Sequence, residues 1–264
     1  MSKGLFTALS GAMAQSARLD TVANNIANAN STAFKRDTQV FKEYLTSLNR
    51  EPGPTEAPRI SDTIESYFNF NGGDSTPVEV EGTYSDFTQG AIRPTGNPLD
   101  FAIDGDAFFE VATPEGVRLT RTGQFTIDGE GRLITKQGYP VQRAGGGEFR
   151  FATSNVSVSE NGEIFDGGEN LGRLSLVTVE KKTALQKQGA NLYSLKANFN
   201  EPVIAAPQAR IQQASLELSN VNLIREMTDM ITATRTFETA QKAIQAYDQM
   251  AAKVVNEVPK LNQG

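Results

Sequence analysis

Of the 23 glycines in this 264-residue chain, 20 lie between Gly53 and Gly189, and 10 of the 11 prolines lie between Pro52 and Pro207. These residues punctuate turns, so their crowding marks a middle rich in β-structure or loops. Their scarcity at the two ends leaves room for long helices. The sequence thus predicts a helical start over roughly 1–48, an irregular and β-forming middle over 50–210, and a helical end over 215–258.

Both ends carry a helical period. Leu5, Leu9, Ala12, Ser16, Leu19, Ala23 and Ile26 follow alternating steps of four and three, and Val22 and Met13 widen the stripe. Asn28 and Asn30, followed by Ser31 and Thr32, are expected to end that helix. At the other end Met230, Ala233, Phe237, Ala240, Ile244, Tyr247, Ala251 and Val254 follow steps of three and four, with Ile231 beside them. Ser219, Asn220 and Asn222 are cap candidates, Glu226 suits the helix dipole, and Pro259 stops the run. From Asn222 to Val258 such a helix is ~55 Å long at ~1.5 Å per residue. Two readings follow: an amphipathic helix on the chain's own core, or a coiled coil pairing the two terminal helices, with one stripe left for partners.

The middle reads as antiparallel β. Phe101, Ile103, Phe108, Phe109 and Val111 flank Asp104-Gly105. Val117, Leu119, Phe125 and Ile127 lead to Asp128-Gly129. Asn161-Gly162 and Asp166-Gly167 are further hairpin signals, and Leu174, Leu176, Val177 and Val179 suggest a strand. Turns at ~8–12-residue spacing predict a sandwich or barrel-like domain. The fold class expected is α+β: a discontinuous helical domain of 1–35 plus 215–264, an extended connector over 36–76, and a β-rich domain over 77–214.

Composition narrows the chemistry. Histidine and cysteine are absent, so there is no imidazole base, no thiol nucleophile, no disulfide and no ordinary structural zinc site. The net charge of -6 argues against a nucleic-acid binder, and no apolar run reaches the ~18 residues of a membrane span. The first residues lack the compact apolar core of a secretory signal peptide. Gly129-x-Gly131 reads as a hairpin loop, not as a nucleotide fingerprint. Asp128, Glu130, Asn161, Glu163, Asp166 and Glu169 could ligate calcium, but their spacing does not fit an EF-hand. Arg118, Arg121, Arg132, Arg143, Lys181 and Lys182 read as a solvated surface, and Lys35-Arg36 as a partner contact. No catalytic residue, metal site or cofactor is expected.

Four amides crowd one helix end: Asn24, Asn25, Asn28 and Asn30. Capping accounts for Asn28 and Asn30. Asn24 and Asn25 lie inside the helix, where amides at a helix–helix seam fix register and partner.

Several segments together resemble the flagellar basal-body rod and hook family. They are Ser10-Gly11, Val22-Ala23-Asn24-Asn25-Ile26-Ala27-Asn28 and Phe34-Lys35 near the start. In mid-chain they are Gly96-Asn97-Pro98-Leu99-Asp100-Phe101-Ala102-Ile103-Asp104-Gly105-Asp106-Ala107-Phe108-Phe109 and Thr120-Arg121-Thr122-Gly123-Gln124-Phe125. Near the end they are Leu216-Glu217-Leu218-Ser219-Asn220-Val221-Asn222, Met230-Ile231, Arg235 and Phe237-Glu238. Chain length and the segment from Phe41 to Gly90 favour the proximal-rod type, with the distal-rod or hook type as the alternative. Ala33 departs from the family's frequent glycine before Phe34.

The resemblance implies a structural protein of the bacterial flagellum, exported without a cleaved signal by the flagellar apparatus. It would polymerise with copies of itself and other rod proteins into a torque-transmitting shaft across the periplasm. The expected assembly residues are Leu5, Leu9, Ala12, Leu19, Val22, Asn24, Asn25, Ile26, Asn28, Phe34, Asn220, Asn222, Met230, Ile231, Phe237, Ile244, Tyr247 and Val254. Contact with nucleic acid or insertion in a membrane is not expected. A secreted hydrolase or ion-binding module is the reading from a different class. The helical ends are expected to be loose in the monomer, because short amide-rich helices are marginal in water.

Overall fold

The computed structural model describes residues 2–43, 78–153, 155–196 and 202–257. A 26-residue helix α1 (Ser2–Ala27) opens the chain and a 35-residue helix α2 (Leu223–Glu257) closes the described part. Between them run β1 (Asp37–Glu43), β2 (Val78–Ser85), β3 (Ile92–Pro94), β4 (Phe101–Asp104), β5 (Phe108–Thr113), β6 (Gly116–Thr120), β7 (Phe125–Ile127), β8 (Leu133–Thr135) and β9 (Val156–Val158). Then follow β10 (Glu163–Asp166), β11 (Glu169–Arg173), β12 (Leu176–Val179), β13 (Leu185–Lys187), β14 (Leu192–Leu195), β15 (Val203–Ala205), β16 (Arg210–Gln213) and β17 (Ser215–Glu217). The α+β expectation of terminal helices around an antiparallel β middle is what this order contains.

The helical start ends sooner than the scarcity of glycine suggests. Asn28 closes α1: its side-chain amide donates to the Asn24 carbonyl at 2.9 Å and its oxygen accepts from Ser31 Oγ at 3.1 Å. Residues 37–43, read as connector, form β1 beside β2. The rest of that connector, residues 44–77, lies outside the described residues.

Two compact units divide the chain. One holds Asn24–Thr38 with Tyr84–Glu226; the other holds Met1–Ala23, Gln39–Thr83 and Met227–Gly264. The segment after α1 therefore belongs with the β-strands, not with the helices.

In the β unit the largest sheet has six strands in the order β13-β14-β6-β5-β12-β15. At its strands β5 and β12 both faces are buried, neighbouring side chains pointing to opposite sides. Phe109 and Val111 join one core with Phe101, Phe125, Leu133, Ile164 and Ile211. Phe108 joins the other, with Phe87, Leu119, Val179 and Tyr193. The partner strand keeps the same order: Leu176 sits opposite Phe109 and Val177 opposite Phe108, one in each core. A run of adjacent apolar residues is thus a strand buried on both faces.

Turn chemistry holds the smaller sheets. Asp128 accepts from the backbone N–H groups of Glu130 and Arg132 at 2.9 and 2.8 Å, so Gly129-x-Gly131 is the loop of the β7–β8 hairpin. Gly123 serves a different need. Its carbonyl accepts from Phe101 N at 2.9 Å, and a Cβ placed on it would lie 1.6 Å from the Phe101 oxygen.

In the helical unit, Ala12, Ala14, Val22 and Ala233 are buried, whereas Leu9, Met13, Met227, Met230 and Ile231 are exposed. Gln39 Nε2 donates to the Ala17 carbonyl at 2.8 Å, and Arg18 lies 3.9 Å from Asp229 on α2. These contacts do not establish a coiled coil. Along α2 the hydroxyls of Thr232, Thr234, Thr236 and Thr239 each donate to the carbonyl four residues back, which satisfies them within their own helix.

Candidate functional site

The β unit gathers the residues around the end of α1 and the start of α2 into one bonded network. Asn25 lies on α1, two residues before its end, and is 1% exposed. Its oxygen accepts from the Asp37 N–H and its amide donates to the Asp37 carbonyl, both at 2.9 Å. One side chain thereby closes the loop of residues 26–36 at its base. The same amide donates to Glu226 Oε2 at 3.1 Å, and Arg36 Nε donates to Glu226 Oε1. Glu226 sits in the first turn of α2, where the dipole favours a carboxylate, and Asn222 caps that turn by accepting from Arg225 N at 3.1 Å.

Asn220 makes a second closure. Its oxygen accepts from Arg36 N at 2.8 Å, while its amide donates to the carbonyls of Asp86 and Thr88 at 2.8 and 3.1 Å. Three stretches distant in sequence meet on one side chain. A half-buried amide suits this task, since it supplies donors and an acceptor without the desolvation cost of a charge.

Beneath lies a cluster of buried charge. Lys35 Nζ donates to Glu217 Oε1 at 2.6 Å and to the Thr88 carbonyl at 2.7 Å. Arg121 Nη1 donates to Glu217 Oε2 at 3.3 Å, its Nη2 donates to the Gly105 carbonyl at 2.8 Å, and its guanidinium lies over the Phe108 ring. Gly90 N adds a bond to Glu217 Oε1 at 2.9 Å. All three ionic side chains are at most 2% exposed. Burial pulls the Lys35 amine below the usual lysine range, and the carboxylate of Glu217 resists that shift. Such a cluster adds little net stability over an apolar core, but removing one partner leaves a buried charge at a cost of ~3–5 kcal/mol.

The loop carries one strained residue. Ala33 has φ 55°, is 1% exposed, and donates its N–H to the Glu217 carbonyl at 2.9 Å. The left-handed region costs an L-residue other than glycine ~1–2 kcal/mol. The next residue, Phe34, is buried beneath Lys187, whose Nζ is 3.9 Å from the ring centroid and 2.8 Å from Asp37 Oδ2.

Of the residues expected at an assembly surface, the network takes Asn25, Phe34, Asn220 and Asn222. Ala12 and Val22 are buried; Leu5, Leu19, Ile26, Asn28, Phe237, Ile244 and Tyr247 are half-buried. Leu9, Asn24, Met230 and Ile231 are exposed. The side chain of Val254 lies outside the described residues. Lys35, Arg121, Glu217 and Glu226 carry the network, and the sequence marked none of them for it. Lys35 read as a partner contact and is sealed inside instead. Arg121 read as surface and is 2% exposed. The position of Lys35, Arg121 and Glu217 inside the family motifs was the available signal, and for Glu226 it was its place in the first turn of a helix.

Two of the carboxylates weighed as calcium ligands, Asp128 and Asp166, are occupied by their own chain. Asp128 holds its hairpin, and Asp166 accepts from Ala152 N, Thr153 N and Thr153 Oγ1, which hold its carboxyl below the usual range. Among the described residues no group of histidine, cysteine, aspartate or glutamate could hold a metal ion. The network's side chains bond to one another and to main-chain groups, and so position chain segments.

Comparison with known proteins makes this specific. Three family models match in chain order: the flagella basal body rod protein over residues 5–35, the flagellar hook protein FlgE/F/G D1 domain over 102–165, and the flagellar basal body rod FlgEFG protein C-terminal over 212–257. The chain is 34% identical to a flagellar basal-body rod protein FlgF of Caulobacter vibrioides, over 99% of this chain and all of that one. It is 34% identical to FlgF of Rhizobium meliloti over 90% of each chain, and 31% identical to FlgG of Bacillus subtilis over 97% and 99%. The chain belongs to the flagellar basal-body rod protein family and is of the FlgF type. It is a structural subunit of the rod in the flagellar basal body.

Proposed function

We propose that the chain polymerises through its terminal helices into the axial shaft that transmits torque. The observation that carries this reading is an apolar surface on α2: Leu223, Ile224, Met227, Met230 and Ile231 are all exposed, with Ile224 at 79%. Five large apolar groups at helical spacing are costly to leave in water, and an exposed patch of this kind is a contact surface. The expected contacts of copies of this chain and of other rod proteins run along this stripe and its counterpart on α1, from Leu5 and Leu9 through Leu19 to Ile26. Phe237, Ile244, Tyr247 and Val254 continue it on α2. Export from the cytoplasm without a cleaved signal, through the flagellar export apparatus and across the periplasm, fits a chain that no disulfide can lock.

The test is the paired substitution Ile224→Asp and Met227→Asp in a strain lacking the native gene. Both positions are exposed, so the purified variant should melt within ~0.5 kcal/mol of the parent. It should be absent from purified basal bodies and fail to restore motility. Normal swimming would sink the proposal.

A further inference from the structure

The β unit contains an open cleft of about 700 Å³ whose walls include Asn24, Asn28, Arg93, Thr122, Gln124 and Lys136. Three observations set it apart. Among the described residues its lining holds three cations and no carboxylate, in a chain whose net charge is -6. Of these cations Lys187 is committed to Asp37, but Arg93 and Lys136 are exposed and have no ion-pair partner among the described residues. Thr122 lines the wall, and its buried hydroxyl has no hydrogen-bond partner among the described residues. The amide motif, read above as a seam, also divides here: Asn25 turns inward to Asp37, while Asn24 and Asn28 border the cleft.

We infer that this cleft receives a carboxylate-bearing peptide segment of a neighbouring rod subunit. Arg93 and Lys136 supply the attraction for carboxylates, and a negatively charged polymer subunit supplies them on every copy. Asn28 is spent on Asn24 and Ser31, but the side-chain NH2 groups of Asn24 and Gln124 donate no hydrogen bond among the described residues, and they match the carbonyls of a peptide backbone. A sugar chain is the less fitting occupant, because the wall has no exposed aromatic face: Phe34, at 3% exposure, lies beneath Lys187. The inference rests on the reading of the chain as a polymerising subunit.

The experiment uses the full-length protein and its double variant Arg93→Glu with Lys136→Glu. Hexaglutamate is titrated into each while the side-chain amide signals of Asn24 and Gln124 are followed by NMR. Soluble fragments of cell-wall glycan are the comparison probe. Hexaglutamate should shift those signals in the parent, more weakly at high salt, and bind the variant about tenfold less well or worse. The variant should keep the parent's melting temperature and be depleted from purified basal bodies. The inference is overturned if hexaglutamate leaves the signals unmoved, if only the glycan fragments move them, or if the variant enters basal bodies as the parent does. Absence of the parent itself from basal bodies would overturn the rod reading and this inference together, whereas normal entry of both proteins would overturn this inference alone.

Discussion

The side-chain amide of Asn25 donates to the carboxylate of Glu226 at 3.1 Å across 201 residues of sequence. With Arg36 on its other oxygen, Glu226 ties the end of the first helix, the loop after it and the first turn of the last helix to one group. Glu226→Ala should therefore destabilise the β unit by about 2–4 kcal/mol, somewhat below the full range for a broken buried pair because Arg36 is 23% exposed. Glu226→Gln should recover part of that loss. Urea unfolding of the two variants measures the difference, and a neutral Glu226→Ala would remove the network's claim to importance.

Removal of Glu217 should be the most damaging change in the buried cluster. Glu217→Ala leaves Lys35 enclosed without its carboxylate and Arg121 with only the more distant Asp106 carboxylate at 3.8 Å, at a cost of ~3–5 kcal/mol. The effect should exceed that of Glu226→Ala in the same denaturant series.

Tyr193 gives a pH-dependent prediction. Its hydroxyl is buried with no hydrogen-bond partner among the described residues, and burial pushes its pKa well above 10. The folded state therefore keeps a proton that the unfolded state releases above about pH 10. Stability is fully present below that pH and lost as pH rises through it. Tyr193→Phe should remove this loss and, by deleting an unsatisfied hydroxyl, raise stability at neutral pH by ~1 kcal/mol. Melting temperatures at pH 7 and pH 11 decide the matter.

Backbone conformation sets a contrasting pair. Ala33→Gly relieves a left-handed alanine and should stabilise by ~1 kcal/mol. Gly123→Ala forces a methyl to within 1.6 Å of a carbonyl oxygen and should cost more than ~4 kcal/mol or prevent folding. Thermal unfolding that ranked the two the other way would contradict the loop geometry.

Hydrogen exchange should separate the segment 24–38 from what precedes it. The N–H groups of Ala33, Arg36 and Asp37 donate to Glu217, Asn220 and Asn25, so they should exchange as slowly as those of β5 and β6 in the monomer. Fast exchange at these three amides would return the segment to the loose ends that the marginal stability of short helices led us to expect.

The fold class was legible because hydrophobic period and turn residues are local signals. Phe108-Phe109 and Asp128-Gly129 state their strand and hairpin within a few positions. The Asn28–Ser31 helix stop was legible for the same reason. The network was not, because its partners lie far apart: Lys35 finds Glu217 only after the sheets have formed, and a lysine in sequence carries the expectation of a surface. Asn25 drew attention as an amide inside a helix. Its partner could not be named, since an amide bonds equally well to another helix or to a main chain. The departure at Ala33 was visible as a residue type, and its meaning became clear only through its φ angle.

The shared carboxylate has one further consequence. Glu226 has no spare partner to offer: Asn25 and Arg36 occupy its two oxygens, so a pull that frees one bond strips support from the other. The joint should therefore give way as a unit, rigid up to a threshold load and then yielding abruptly, as a shear pin does in a shaft.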